Sequence, residues 1–251
     1  MKNATAVALC HNRLINPTER ISVVKGSIAD KDTVDSATNG ITHVVHLATC
    51  KETPSNVMDV TVKGLFWLLE ACREKNDFEQ FLLIGGDAGM GHFFYPHPIP
   101  VTETQKHSAY PGCYALSKVL EEVMLEQYQI QYSLPSTCLR APWIMEKDDF
   151  KYSLSFGDDV FGGPVWKDLV SGELAKRYKE AGNIPLMLNE KGEPIKRNFI
   201  HVDDLVQAIM QAILLPDKAN GNTFNISMDL SLIHISEPTR PLYISYAVFC
   251  L

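Results

Sequence analysis

Tyr114 and Lys118, in the stretch "CYALSKVLEEV" (Cys113–Val123), stand four residues apart. On a helix that spacing puts both side chains on one face. The chemistry open to them is proton transfer. A free phenol, with a pKa of about 10, is a poor base at neutral pH. An ammonium group one turn away favours the phenolate and lowers that value. The same spacing also suits the solvated side of an amphipathic helix, so the rest of the chain must decide between the two.

The elements that would position the pair are legible as alternating patterns. Ala4–Leu9 and Ile21–Val24 read as strands, and "THVVHLA" (Thr42–Ala48) and "QFLLIGG" (Gln80–Gly86) as buried strands stopped by small residues. Val57–Cys72 reads as a helix with Val57, Val60, Gly64, Leu65, Leu68, Leu69 and Cys72 on one stripe. Gly112 to about Tyr128 reads as a second helix, with Leu116, Val119, Leu120 and Val123 expected inward. "STCLRAP" is a strand ended by Pro142, and "NTFNIS" a final strand. Between them Asp203 or Asp204 is expected to cap a helix reaching about Leu215. Strands alternating with helices predict parallel β-α-β units in an α/β, doubly wound sheet.

The chain has 251 residues, 45% hydrophobic and 21% charged, with a formal charge of -7. That balance suits a globular core, and an acidic surface disfavours nucleic acid. No apolar run reaches the roughly 18 residues of a membrane span, and no signal peptide opens the chain. The six cysteines are scattered without a Cys-x-x-Cys, so reduced residues in a cytoplasmic protein are expected, with no metal site.

Read in order, seven stretches resemble the extended short-chain dehydrogenase/reductases, the NAD-dependent epimerase/dehydratase family. "KGSIAD" is similar to the Gly-Asp-Ile/Leu-x-Asp stretch beside the adenine, with Ser27 where Asp is usual. "VVHLAT" resembles the strand that passes the cofactor's ribose and phosphates. "VTVKGLFWLLEAC" carries Thr61 at the family's Asn position. "YALSK" falls where the catalytic Tyr-x-x-x-Lys falls. "LRAPWIM" resembles Leu-Arg-x-x-Asn-x-Tyr-Gly, with Trp143 for Asn. "RNFIHVDDLVQAI" and "NTFNIS" complete the order. The resemblance covers about Ala4 to Met228 and implies a Rossmann-like fold, NAD or NADP as cofactor, and hydride transfer on a small-molecule substrate, a nucleotide sugar. It implies Tyr114 and Lys118 as the catalytic pair. It places Ser27, Ile28, Leu47, Ala48, Thr49, Thr61, Ala141 and Pro142 along the cofactor, with Tyr114 and Lys118. Arg197 matches a diphosphate clamp, a role suited to a guanidinium, with Trp143 beside the substrate. A homodimer is usual for the family. His201 is expected to be structural, and Trp166 and "HFFYPHP" (His92–Pro98) either line a cleft or pack as core and loop.

The departures from the family pattern matter as much. The family's Ser/Thr, which hydrogen-bonds the reacting oxygen, falls here on Gly86, which has no hydroxyl. Thr102 or Ser108 would have to serve instead, or the reaction is altered, or the chain binds a nucleotide without turnover. A reductase or dehydrogenase of another hydroxy compound and a non-catalytic cofactor-binding sensor are the alternative readings. The first strand here leads into "CHNRLINPTER", with no Gly-x-x-Gly-x-x-Gly turn and no helix to receive a pyrophosphate. The expectation is therefore a chain lacking the family's first strand, glycine-rich loop and helix; in the resembled sheet that strand lies between the second and fourth strands. Arg13 leans towards NADP.

Residues 1–145 are expected to form a partial NAD(P)-binding domain, 146–196 a small inserted substrate lobe, and 197–229 a return to the first domain. Leu230–Leu251, "LSLIHISEPTRPLYISYAVFCL", breaks the pattern. LSLIHISEPTR and ISYAVFCL resemble translations of the two fixed parts of a sequencing-library adapter, and Pro241–Tyr243 fall where its variable index lies. This stretch is expected to be non-native.

Overall fold

The computed structural model describes residues 4–50, 53–91, 95–98, 100–147, 149, 154–156, 165–186, 188, 191–194 and 197–228. The expectation for Leu230–Leu251 lies outside them, as do His92–Phe94 of the aromatic stretch. The described chain divides into two units. One runs through Ala141 and resumes over Gln207–Ile226; the other comprises Pro142–Val206 and the residues from Ser227.

The first unit is α/β and Rossmann-like, with parallel strands and flanking helices. β1 (Ala6–Cys10) pairs in parallel with β2 (Ile21–Lys25). β3 (His43–His46), β4 (Gln80–Gly86), β5 (Ser136–Ala141) and β8 (Thr223–Asn225) form a second parallel sheet in the order β3-β4-β5-β8. Every residue of β4 and β5 is buried, as expected of strands covered on both faces. No helix separates β1 from β2; the chain returns through a Thr18–Ile21 bridge.

Helix α1 (Lys31–Thr38) follows β2 and was not expected from the sequence. Only Val34, Ala37 and Thr38 of its eight residues are buried, so its apolar stripe is too thin to stand out. Its signal is the cap: Asp30 accepts the Thr33 amide (3.2 Å) and the Thr33 hydroxyl. α2 (Pro54–Asn56) runs into π-helical turns over Val57–Lys63 and then into α3 (Gly64–Arg73). A Cβ on Gly64 would lie 2.7 Å from Ile28 Cγ2, so only glycine admits this close approach. Leu65, Leu68, Leu69 and Cys72 enter the core with Val34, Phe81, Leu83 and Leu125.

α4 (Cys113–Tyr132) lies against β4 and β5, but not by the face expected. Leu116 and Val123 are 53% and 39% exposed. The buried face is Ala115, Ser117, Lys118, Glu121, Glu122, Leu125 and Tyr128. The polar members can be inside because partners meet them there; of the expected stripe Val119 and Leu120 are half-buried, and Leu116 and Val123 are left exposed.

In the second unit, β6 (Trp143–Met145) pairs in parallel with β7 (Phe199–His201). α5 (Gly172–Glu180) is capped by Ser171, whose hydroxyl accepts the Leu174 amide. α6 (Val202–Leu214) follows β7 and passes into the first unit, before the short α7 (Pro216–Ala219). Asp203 and Asp204 lie inside the first turn of α6 rather than capping it. The Asp203 amide instead donates to His201 Nδ1 (3.2 Å), so the histidine ring does the capping, and the two carboxylates suit the helix dipole.

Candidate active site

The carboxyl ends of β3, β4 and β5 and the first turns of α4 bring together most of the residues singled out above. β4 ends at Gly86, which is in register with Ala141 at the end of β5; Pro142 follows directly in the chain. The Lys118 side chain runs past Gly86: a Cβ built there would stand 3.4 Å from Lys118 Cδ and 3.6 Å from Cε. Lys118 Nζ lies 5.8 Å from the centre of the half-buried Tyr114 ring. The two side chains therefore share one helix face at the strand ends.

Gly85 is a glycine for a different reason. A Cβ there would fall 2.9 Å from Cys138 Sγ and 3.3 Å from Glu122 Oε1, so it makes room for the core and not for a ligand. Ser108 is committed: its hydroxyl donates to the Met90 carbonyl (2.7 Å) and its amide to Gly89 (3.0 Å). Thr102 is exposed, 3.3 Å from the Thr104 hydroxyl. Among the described residues no hydrogen bond joins either to Lys118.

Along β3 and its following loop, Leu47 is 59% exposed, Thr49 exposed and Ala48 half-buried. Thr61 is fully buried, and its hydroxyl accepts the Cys50 amide (3.2 Å). It thus braces the loop after β3 from the π-helical turns, a local irregularity often found at functional sites. Ser27 forms a turn, its hydroxyl accepting the Ala29 amide (3.2 Å), and Ile28 is core. In the second unit the Arg197 guanidinium stacks 3.7 Å from the centre of the Trp143 ring, a cation–π contact. Trp166 is buried with Leu154 and Phe156.

Two groups of buried charges were not anticipated. In the first, Arg140 of β5 donates from Nε to both Glu122 oxygens (2.9 Å each) and from Nη2 to Oε2 (2.7 Å). His107 Nε2 meets the same Oε2 at 2.9 Å, and Arg140 Nη1 donates to the Glu103 carbonyl (3.2 Å). Burial raises the Glu122 carboxyl, but the hydrogen bonds from His107 and Arg140 outweigh it and hold it below the usual carboxylate range. This network ties the loop before α4 to the sheet. In the second, Glu121 is fully buried with Oε2 2.9 Å from Lys118 Nζ and Oε1 3.7 Å from His46 Nε2. The available signal was spacing, since Tyr114, Lys118 and Glu121 fall at i, i+4 and i+7.

A parallel α/β sheet with a Tyr-x-x-x-Lys helix at its strand ends defines a Rossmann-like protein with short-chain dehydrogenase/reductase features. Residues 2–145 match the family model described as "NAD dependent epimerase/dehydratase family", and the chain belongs to that family. UDP-glucuronate 4-epimerase 4 of Arabidopsis thaliana is 23% identical over 215 residues, 80% of this chain and 44% of the relative. The chain thus spans less than half the length of the curated relatives it matches. Among solved structures, a short-chain dehydrogenase/reductase superfamily protein of Agrobacterium tumefaciens with bound NAD aligns with a TM-score of 0.69 at 22% identity, covering 85% of this chain and 68% of that one. UDP-glucose 4-epimerase of Thermotoga maritima, solved with UDP-glucose, aligns with a TM-score of 0.69 at 18% identity, covering 92% and 71%. Among the described residues no helix is long and apolar enough to cross a membrane.

Proposed function

We propose that the protein derives from an NAD(P)-dependent nucleotide-sugar epimerase in which Tyr114 and Lys118 are the reacting pair. The observation that carries this is their shared face beside Gly86 at the carboxyl ends of a parallel sheet, in a chain of this family. The relatives and neighbours named above act on or bind UDP-sugars and NAD, which supports the substrate class.

The residues fit one half of the dinucleotide. Lys118 and Tyr114 suit the nicotinamide and its ribose, and the open end of β3 at Leu47–Thr49 suits the ribose–phosphate run beside Thr61. When bound, the nicotinamide takes and returns a hydride. Tyr114 Oη takes the proton from the substrate hydroxyl, and Lys118 orients the ribose and favours the phenolate. Within the second unit, Arg197, its guanidinium stacked on the Trp143 ring, has the chemistry of a diphosphate clamp. The pyrophosphate half of the dinucleotide is not matched: no glycine-rich turn and helix follow β1. The exposed stripe Leu116, Val123 and Ile130 on α4 supports pairing of two copies.

The test uses this chain fused behind the strand, glycine-rich turn and helix of a family member, assayed with NAD and UDP-sugars. Tyr114→Phe should lower kcat about 10²–10⁴-fold, the usual worth of a positioned acid–base group. Full activity in that variant sinks the assignment. Gly86→Ser is the companion change. Its Cβ fits against the Lys118 stem at 3.4 Å, and a hydroxyl there supplies the donor that is lacking. If that donor limits the rate, kcat should rise by up to about 10²–10³-fold with little change in cofactor affinity. Unchanged or lost activity with the fold intact would show that another donor serves the site.

A further inference from the structure

The pair just described is accompanied by a carboxylate that it does not require. Glu121 is the next residue on the same face of α4, and it is fully buried. Its Oε2 stands 2.9 Å from Lys118 Nζ, while Lys118 itself is 4% exposed. Its Oε1 faces His46 Nε2, also buried, at 3.7 Å. That is ion-pair range but too long for a hydrogen bond, and both Glu121 oxygens lack one. A fully buried carboxylate whose partners are one ion pair at 2.9 Å and one at 3.7 Å is expensive to take out of water. A leucine or alanine would pack the same position without that cost, so the charge calls for an explanation beyond packing.

We propose that Glu121 is a positioning residue that holds the Lys118 ammonium in the interior and opposes the ionisation of Tyr114. This rests on the reading of Tyr114 and Lys118 as the reacting pair. A lone ammonium beside a phenol favours the phenolate. An ammonium with a carboxylate 2.9 Å away is a dipole, whose field falls faster with distance than that of a single charge. Tyr114 then sees much less of Lys118 than the Tyr-x-x-x-Lys spacing promises.

Other titratable groups also surround the pair. His46 comes from β3, and Cys138 and Arg140 from β5, with Arg140 held by Glu122. β4 presents only Gly85 and Gly86 there, and Asp87 follows it. From the elements packed on the rest of α4, Asp59 pairs with Lys63 and Glu70 with Arg73.

The experiment is NMR on the chain as it stands, needing neither cofactor nor turnover. Tyrosine is labelled at Cζ, and Tyr114 is assigned through Tyr114→Phe. In Glu121→Gln the Tyr114 titration midpoint should fall by at least about half a pH unit. A midpoint that stays or rises overturns the proposal. Should Glu121→Gln not fold, the double variant Lys118→Met/Glu121→Gln decides, since it carries neither charge. If Glu121 cancels the effect of Lys118, the double variant titrates within about 0.3 unit of the wild type. If Lys118 acts unopposed, the double variant titrates about a unit or more higher, and the proposal fails. A shifted midpoint together with full turnover by Tyr114→Phe in the fusion described above would remove the catalytic reading and leave this electrostatic one standing.

Discussion

Arg140→Leu is expected to cost the fold about 3–5 kcal/mol, a large part of the 5–15 kcal/mol typical of a domain. The reason is what remains. Glu122 is 8% exposed, and Arg140 provides three of its four hydrogen bonds. Without Arg140 the carboxylate stays buried with only His107 to meet it. The loss should depend on pH with a definite sign. Glu122 is held below its ordinary value in the fold, so its contribution is present above the unfolded carboxylate range of about 4.3 and fades as pH falls through the lower folded value. The gap between wild type and variant should therefore be full at neutral pH and narrow in acid. The double variant Arg140→Leu/Glu122→Leu should recover most of the loss, because replacing both members of a buried pair is often near neutral. Urea unfolding at neutral and acid pH measures all three. A single-variant loss below about 1 kcal/mol would mean that the pair adds nothing beyond surface strength.

The sequence carried the order of strands and helices well because that order is written in short apolar runs with clear stops. Gln80–Gly86 stops at two glycines: Gly85 is a close-approach position beside Cys138 and Glu122, while Gly86 lies beside Lys118 with room for a Cβ. It carried the orientation of α4 badly. Leu116, Leu120 and Val123 repeat at helical spacing, and a repeat says that a face is apolar without saying which surface covers it. The competing face holds Lys118, Glu121 and Glu122, which a hydropathy reading assigns to water. Their burial depends on Arg140, His107 and His46, residues distant in sequence, and only the fold brings those partners to them. The caps of α6 were misjudged for a related reason. Two adjacent aspartates fit the cap pattern, yet the preceding His201 fills the position. The Tyr114–Lys118 pair was legible because both residues lie on one element, four apart.

Titration of this 251-residue chain with NAD or NADP is expected to show no saturable binding in the micromolar range, which corresponds to about -8 kcal/mol. A dinucleotide's pyrophosphate is ordinarily met by backbone amides of a glycine-rich turn at a helix N-terminus. Here β1 passes through Cys10–Arg20 to β2 with neither turn nor helix. The sheet bears on the same point. Among the described residues β1 pairs only with β2, and β3 only with β4, so each has one edge without a strand partner. Leu9 of β1 and Val44 of β3 nevertheless reach the same core. We propose that the two edges flank the position of a further parallel strand, the one that would deliver the glycine-rich turn. Without it the nicotinamide-side contacts proposed for Tyr114 and Lys118 would remain, but the largest charge on the ligand would have nothing to neutralise it. Unpaired strand edges also favour association between chains, so light scattering should accompany the calorimetry. Adding the strand, turn and helix ahead of Ala4 should restore binding and monodisperse behaviour together, because one insertion closes both edges and supplies the amides. Clean micromolar binding by the chain as it stands, in a monodisperse sample, would show that the two edges need no further strand and that the pyrophosphate finds its donors elsewhere.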